Sequence, residues 1–382
     1  MDFELSEEQR LLRQSIERLL ADRYGFEQRN AYMKEPGGFS RALWKQYAEL
    51  GLLALPFAEK DGGIGGSAVD VMIVMEAFGR ALVLEPFLAT VVLAGGALRH
   101  AGNDKQRAAI VPKIADGSLI LALAHAERQS RFDLADVATS AKKGGAGYVL
   151  DGAKGLVFSG DSAGQFVVSA RVAGKQRDRE GIGLFLVDAK AKGVSIRGYQ
   201  TIDGLRAAEI ALAGVKVGAD GVLGEPGKAL AVIERVVDEA MAALCAEAVG
   251  GMAVMHEITV DYLKTRKQFG VPIGHFQVLQ HAAVDMLMAT EQARSMAMLA
   301  AMMVDEKDAV ERHKSIAAAK IQAGRSGRFV GKTATQLHGG IGMTMEYKAG
   351  HYFKRAMAID MTFGDADHHL AALTKMGGLL AA

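Results

Sequence analysis

This 382-residue chain is poor in the features that would point to several common protein classes. It has a single cysteine, Cys245, which excludes an intramolecular disulfide and suits a reducing cytoplasm. Cys245 lies in an Ala-rich apolar run and reads as a small core residue rather than a nucleophile. Excess charge of one sign is missing too. With 45 basic against 44 acidic side chains the net charge is +1, which gives no electrostatic case for a nucleic acid or a membrane surface as partner. No long uninterrupted apolar run occurs: the longest, Ala81 to Leu98, is broken by Glu85-Pro86 and Gly95-Gly96 and reads as core helices, not a membrane span. The opening Met1-Asp-Phe-Glu is acidic, which predicts no signal peptide, and internal repeats and low-complexity segments are missing. Half the residues are hydrophobic and 23% are charged, ordinary for a globular protein with length for two or three domains.

What is present divides into three zones, 1–117, 118–226 and 227–382. In the first, helical periodicity dominates. Ser6 followed by Gln9 predicts a capping box, with Leu11, Leu12, Ile16, Leu19 and Leu20 at helical spacing behind it. Helices are also predicted over Ser40 to Leu50 and Val69 to Leu84. The Gly62–Gly66 loop between them misses dinucleotide-fingerprint spacing and reads as a connector. In the second zone the period falls to two. Leu119 to His125, Gln165 to Ala170, Gly183 to Val187 and Val194 to Arg197 are predicted as strands of a small antiparallel barrel or sandwich. The third zone predicts long helices over Ala229 to Thr265, Gln277 to Asp305 and Ala309 to Gln336, packed as an antiparallel bundle with a methionine-rich face, Met286 to Met303, as filling.

Several segments carry a resemblance. Leu53-Ala-Leu-Pro56, Gly62-Gly-Ile-Gly65 and Met75-Glu-Ala-Phe-Gly-Arg80 occur in the first zone. Tyr262-Leu-Lys-Thr-Arg266-Lys-Gln-Phe269-Gly-Val-Pro-Ile-Gly274-His-Phe-Gln277 and Gln336-Leu-His-Gly-Gly-Ile-Gly342 occur in the third. Together, in order and over essentially the whole chain, they resemble the acyl-CoA dehydrogenases. The resemblance implies an α+β fold: an N-terminal helical domain, a central small antiparallel β domain and a C-terminal four-helix bundle. It implies FAD as cofactor, an acyl-CoA as substrate, a place in fatty acid metabolism and a tetrameric assembly. In that chemistry a carboxylate removes the α-proton of the thioester, and hydrogen bonds to the thioester oxygen stabilise the enolate. Family positions touching the ADP half of FAD, often a neighbouring subunit's, match Arg266, Gln268, Phe269, Gln277, Gln336, Gly339 and Gly340. Read without the resemblance, Lys264, Arg266 and Lys267 offset the dipole of a helix C-terminus, and Gly339-Gly340 is a helix stop.

The family's catalytic glutamate aligns with Phe363, where Tyr-Glu-Gly-Thr becomes Thr362-Phe-Gly-Asp365. The alternative family position for the base falls on Ala240. Two carboxylates remain nearby. Glu239 reads as a base or as an ion-paired helix residue, and Asp365 as a base or as the N-cap of a helix from Ala366 to Met376. Asp367, His368 and His369 lack a second ligand cluster and read as a polar first turn, so no metal is expected. In the β zone, Leu123-Ala-His-Ala126-Glu127-Arg128 and Lys154-Gly-Leu156-Val-Phe158-Ser-Gly160 depart from the family's flavin-ring pattern, and Phe158 replaces a hydroxyl.

Such a pattern resembles the small subunits of pimeloyl-CoA-type dehydrogenases. It implies a base-lacking partner in a hetero-oligomer, contributing ADP contacts to a homologous chain. The other readings are an active homotetramer with a displaced carboxylate and a flavin-dependent monooxygenase on the same fold.

Overall fold

A computed structural model describes residues 5–378. Met1 to Glu4, on which the signal-peptide reading rests, lie outside the described residues. Two compact units are assembled from segments distant in sequence: residues 1–30, 68–83 and 241–382 in one, 31–67 and 84–240 in the other.

The first unit is helical. Helix α1 (Glu7–Arg23) begins with the predicted capping box: Gln9 N donates to Ser6 Oγ, and Ser6 N donates to the Gln9 side chain. Helix α2 (Phe26–Tyr32) straddles the unit boundary, α3 (Arg41–Glu49) belongs to the second unit, and α4 (Ala68–Ala81) returns to the first. Helices α5 (Gly95–Ala101) and α6 (Asp104–Ala115) belong to the second unit, as do eight strands. These are β1 (Leu121–Ala124), β2 (Ser140–Gly144), β3 (Gly147–Phe158), β4 (Gln165–Arg171), β5 (Ile182–Asp188), β6 (Val194–Gln200), β7 (Arg206–Val217) and β8 (Val222–Gly227). They form one sheet in the order β6-β7-β3-β2-β4-β5-β8, mostly antiparallel, with β1 added parallel to β4. Strand β7 was not foreseen. Ala208, Ile210 and Leu212 share its buried face, and small alanines at both buried (Ala207, Ala208) and exposed (Ala211, Ala213) positions blur the alternation that would mark a strand.

Helix α7 (Leu230–Thr265) runs from the second unit into the first. By length and composition it could cross a membrane, and most of its apolar window is buried inside the protein. A short hairpin follows, β9 (Lys267–Gln268) and β10 (Val271–Pro272), then α8 (Gln277–Met303), α9 (Ala309–His338), α10 (Lys348–Met361) and α11 (Ala366–Lys375). Helices α8, α10 and α11 all pack on α9. Close approach is permitted by alanine and glycine on α9, with Ala317, Ala319, Ala323 and Val330 almost wholly buried. The expected methionine filling is partial: Met286 is buried, whereas Met288 is 52% exposed. The bundle is packed chiefly through alanines.

Candidate nucleotide site and the Phe363 turn

Helix α7 ends at Thr265, and Arg266 N still donates to Tyr262 O at 2.8 Å. The chain then reverses within two residues. Phe269 (φ 55) and Gly270 (φ 81) both take positive φ, the signature of a tight hairpin turn whose twist matches its strands. Glycine adopts this conformation freely, while a phenylalanine is strained there by about 1–2 kcal/mol. Phe269 is also 90% exposed. A strained, fully presented aromatic ring marks a contact surface more than a fold requirement.

Around it the polar groups are open. Arg266 is exposed and has no hydrogen-bond or ion-pair partner for its guanidinium among the described residues. Gln268 Nε2 donates to its neighbour, Lys267 O, at 2.9 Å. Gln277 opens α8 and Gln336 lies in the last turn of α9, both exposed. After His338 the chain passes through Gly339 at φ 63, ψ −142, a conformation open essentially to glycine alone. A β-carbon placed at Gly339 or Gly340 would meet nothing within 4 Å, so the backbone there faces free space.

One side chain connects these segments. The buried His338 ring lies 4.6 Å from that of Tyr262 and 4.9 Å from that of Tyr347, and its Nε2 is 3.1 Å from Tyr347 Oη. Its Nδ1 is 2.8 Å from Ala334 O. Burial holds the imidazole below its usual range, which favours the neutral form. The His338–Tyr262 stack thus ties the end of α7, with Arg266, to the end of α9, with Gly339. His338 stood within the sequence motif yet carried no role; only packing across two helices reveals one.

The α10–α11 junction has the opposite character. Phe363 takes φ 60 and Gly364 φ 111. Lys320, fully buried, donates from Nζ to Asp360 O at 2.8 Å and to Gly364 O at 2.9 Å, capping α10 and clamping the turn. Asp365 accepts from His368 N at 2.8 Å and is the N-cap of α11. Its carboxylate therefore has a structural task. Asp360, wholly buried, pairs with Arg328. Cys245 is fully buried, and burial pushes its thiol up to about 12 despite nearby Lys320, which fits a core residue. Among the described residues no group of three or more His, Cys, Asp and Glu is disposed to hold a metal ion.

Of the two readings of Glu239, base or ion-paired helix residue, the local geometry has the second: it sits in an ion cluster. Its carboxylate is 7% exposed and lies 2.6 Å from both Arg99 Nη2 and His100 Nε2, with Arg235 Nε at 3.5 Å. Burial alone would raise it. The His100 hydrogen bond and the charges of Arg99, His100 and Arg235 prevail and hold it at about 2. A carboxylate so stabilised is a poor proton acceptor. Ala240 beside it is fully buried.

In the β unit, Lys154 Nζ is buried and donates to Glu127 Oε1 at 2.6 Å, Ser169 Oγ at 3.0 Å and His125 O at 3.2 Å. Glu127 also accepts from Ala138 N and Thr139 N, so one ion pair fixes the loop after β1. At the end of β3, Leu156 (φ 47) is 46% exposed, and Phe158 offers no hydroxyl.

Comparison with known proteins agrees with this architecture. Three family models match in order: the acyl-CoA dehydrogenase N-terminal domain over residues 6–118, the middle domain over 122–215 and the C-terminal domain over 228–376. A probable acyl-CoA dehydrogenase of Bacillus subtilis, YngJ, is 28% identical over 96% of this chain and 97% of its own length. A variant of the Tcur3481-Tcur3483 steroid ACAD is 30% identical with a TM-score of 0.87, covering 97% of each chain. The ChsE4-ChsE5 complex from Mycobacterium tuberculosis is 26% identical with a TM-score of 0.90, covering 100% of each chain. With its helical N-terminal segment, central sheet and helical C-terminal segment all matched, the chain belongs to the acyl-CoA dehydrogenase family.

Proposed function

We propose that this chain is the base-lacking subunit of a hetero-oligomeric, FAD-dependent acyl-CoA dehydrogenase, cytoplasmic and paired with a homologous chain that supplies the carboxylate. The observation that carries this reading is the contrast at Phe363. The family's base position holds a phenyl ring in a clamped turn, and both nearby carboxylates are committed elsewhere, Asp365 to a helix N-terminus and Glu239 to an ion cluster. The pairing is supported by two similar structures that are named for two chains each.

The residues at the α7 and α9 ends fit the ADP half of FAD. An unpaired guanidinium at Arg266 suits a pyrophosphate, and the bare backbone at Gly339 and Gly340 permits close approach of a phosphate. Gln268, Gln277 and Gln336 add carboxamides, and Phe269 adds an apolar plane. When bound, FAD supplies the redox step, accepting a hydride from the β-carbon of an acyl thioester. This chain's own part is to bind and orient. Arg266 offsets the diphosphate charge, the Tyr262–His338 stack keeps the two binding segments in register, and Phe269 reaches toward the partner.

The test is flavin absorbance of the chain purified alone and after co-expression with a homologous acyl-CoA dehydrogenase chain. We expect colourless or faintly yellow protein alone, and stoichiometric FAD with acyl-CoA oxidation from the pair. Stoichiometric flavin and turnover by the chain alone would overturn the pairing in favour of a homotetramer, and loss of that activity in Asp365→Asn would then identify the base. Oxygen consumption with a reduced-flavin supply and no acyl-CoA oxidation would indicate a monooxygenase instead.

A further inference from the structure

A hydrogen-bonded chain runs through the second unit and ends on a half-buried histidine. Lys154 Nζ donates to Glu127 Oε1 and, at 3.0 Å, to Ser169 Oγ, which lies 2.8 Å from His125 Nδ1. This chain fixes which ring nitrogen of His125 carries the proton. Ser169 is fully buried, and His125 and Lys154 are the partners of its hydroxyl among the described residues. The Lys154 ammonium can only donate, so the acceptor left for the Ser169 proton is His125 Nδ1. The opposite tautomer would leave a buried O–H without an acceptor, at a cost of about 1–3 kcal/mol. The ring proton therefore sits on Nε2. Burial, and then the charge of Lys154, hold the imidazole down to about 3, so it stays neutral. Nε2 itself has no partner among the described residues and keeps access to solvent.

The donor is firmly held and its surroundings are open. Glu127 accepts from Ala138 N and Thr139 N as well as from Lys154, which pins the loop that carries His125. Gly155 N donates to Ala126 O at 2.8 Å, so the irregular end of β3 lies against the residue after His125. A β-carbon at Gly155 would meet nothing within 4 Å, and Leu156, strained at φ 47, presents an exposed side chain. A bulge and backbone strain beside a free polar group mark a binding position more than a fold requirement. A neutral donor near bare backbone and an apolar side chain suits an uncharged flat ring, because neither side has a charge to desolvate.

We propose that His125 donates a hydrogen bond from Nε2–H to a carbonyl oxygen or ring nitrogen of an uncharged planar heterocycle lying against the β3 bulge. Ser169 is the positioning residue that sets the tautomer. The proposed function supplies only the probe: the ring system of riboflavin offers both kinds of acceptor and carries no charge.

Nitrogen NMR of the full chain labelled at histidine, with riboflavin added, tests this. In the free chain the His125 signals, assigned by their loss in His125→Phe, should show a neutral ring protonated on Nε2 at neutral pH. Riboflavin should bind saturably and shift the Nε2–H signal, and His125→Phe should weaken it about fivefold or more, the effect of one lost hydrogen bond. Ser169→Ala should bring in the second tautomer and weaken riboflavin about two- to threefold, since half of the rings would then present the wrong nitrogen. Arg266→Ala should leave riboflavin binding unchanged, because riboflavin has no diphosphate. Should His125→Phe fail to fold, the tautomer change in Ser169→Ala assigns the ring and the shift in wild-type protein decides. A ring protonated on Nδ1, no saturable riboflavin binding, or binding that leaves the Nε2–H signal unmoved would overturn the proposal. None of these outcomes touches FAD uptake by the assembled pair, whereas a pair without FAD would overturn the proposed function and leave the His125 result standing.

Discussion

Two ends of the same helical bundle treat their polar groups in opposite ways. At the α7–α9 end, Arg266, Gln277 and Gln336 are exposed, the backbone at Gly339 and Gly340 faces open space, and Phe269 is held out in a strained turn. At the α10–α11 junction, Lys320 closes on two carbonyls and Asp365 on a helix N-terminus. Both ends belong to motifs of one family, and both contain a non-glycine residue at positive φ. The difference is who satisfies the polar groups. Where the fold satisfies its own donors and acceptors, the segment is structural. Where it leaves the Arg266 guanidinium without a partner among the described residues, beside a side-chain-free backbone at Gly339 and Gly340, the segment has a charge to offer a ligand.

The sharpest way to break this comparison is Lys320→Met. Two buried carbonyls would lose a charged donor, so the chain should lose about 3 kcal/mol in denaturant unfolding. Flavin retention by the assembled pair should persist in whatever fraction remains folded. If stability is unchanged, the closed junction is not what holds the turn.

Acid offers a test in the second unit, where Glu239 is similarly closed. Its folded pKa of about 2 lies below the ordinary 4.5, so the unfolded chain binds more protons between those values. Stability from this group is therefore complete above about pH 4.5 and is lost as pH falls toward 2, by roughly 3 kcal/mol in total. Glu239→Gln should flatten that part of the stability profile, measured by denaturant titration at several pH values.

At the open end, Arg266→Ala should leave the isolated chain within about 0.5 kcal/mol of wild type, because an exposed unpaired side chain contributes little to folding. The same change should weaken FAD retention by the pair about 10- to 100-fold, the effect of a lost charge-assisted contact to phosphate. Fluorescence of flavin released on dilution measures this. An equal loss of stability and flavin would mean that Arg266 is structural.

Phe269→Gly gives the smallest and most discriminating effect. Relief of the positive-φ strain offsets the lost ring, so the chain alone should gain up to about 1 kcal/mol. Association with the partner should weaken, as seen by sedimentation or size-exclusion chromatography. A ring that served only this fold would behave the other way.

Much of this was legible in the residues themselves. The capping box at Ser6 and Gln9, the long Ala-rich helices and the Asp365 cap were readable because each depends on neighbours within one or two turns. The family was readable because its motifs are contiguous. Strand β7 was hidden, since small alanines bury well yet give a weak alternation, and β1 was readable as a strand but not as parallel to β4. Glu239 illustrates the other limit. Its sequence neighbours leave it either base or ion-pair partner, and Arg99 and His100, some 140 residues earlier, decide the matter.

The sequence by itself determined that Phe363 and Ala240 carry no proton acceptor, because that is a property of side-chain type alone. It also determined where helices start and stop, through local caps and periodicity. Only the tertiary structure decided what the remaining groups do. It stacked His338 on Tyr262, closed Lys320 over the Phe363 turn, locked Glu239 between cations and left Arg266 unpaired. Whether a charge is occupied or available depends on which distant residues fold against it, and that is a property of packing.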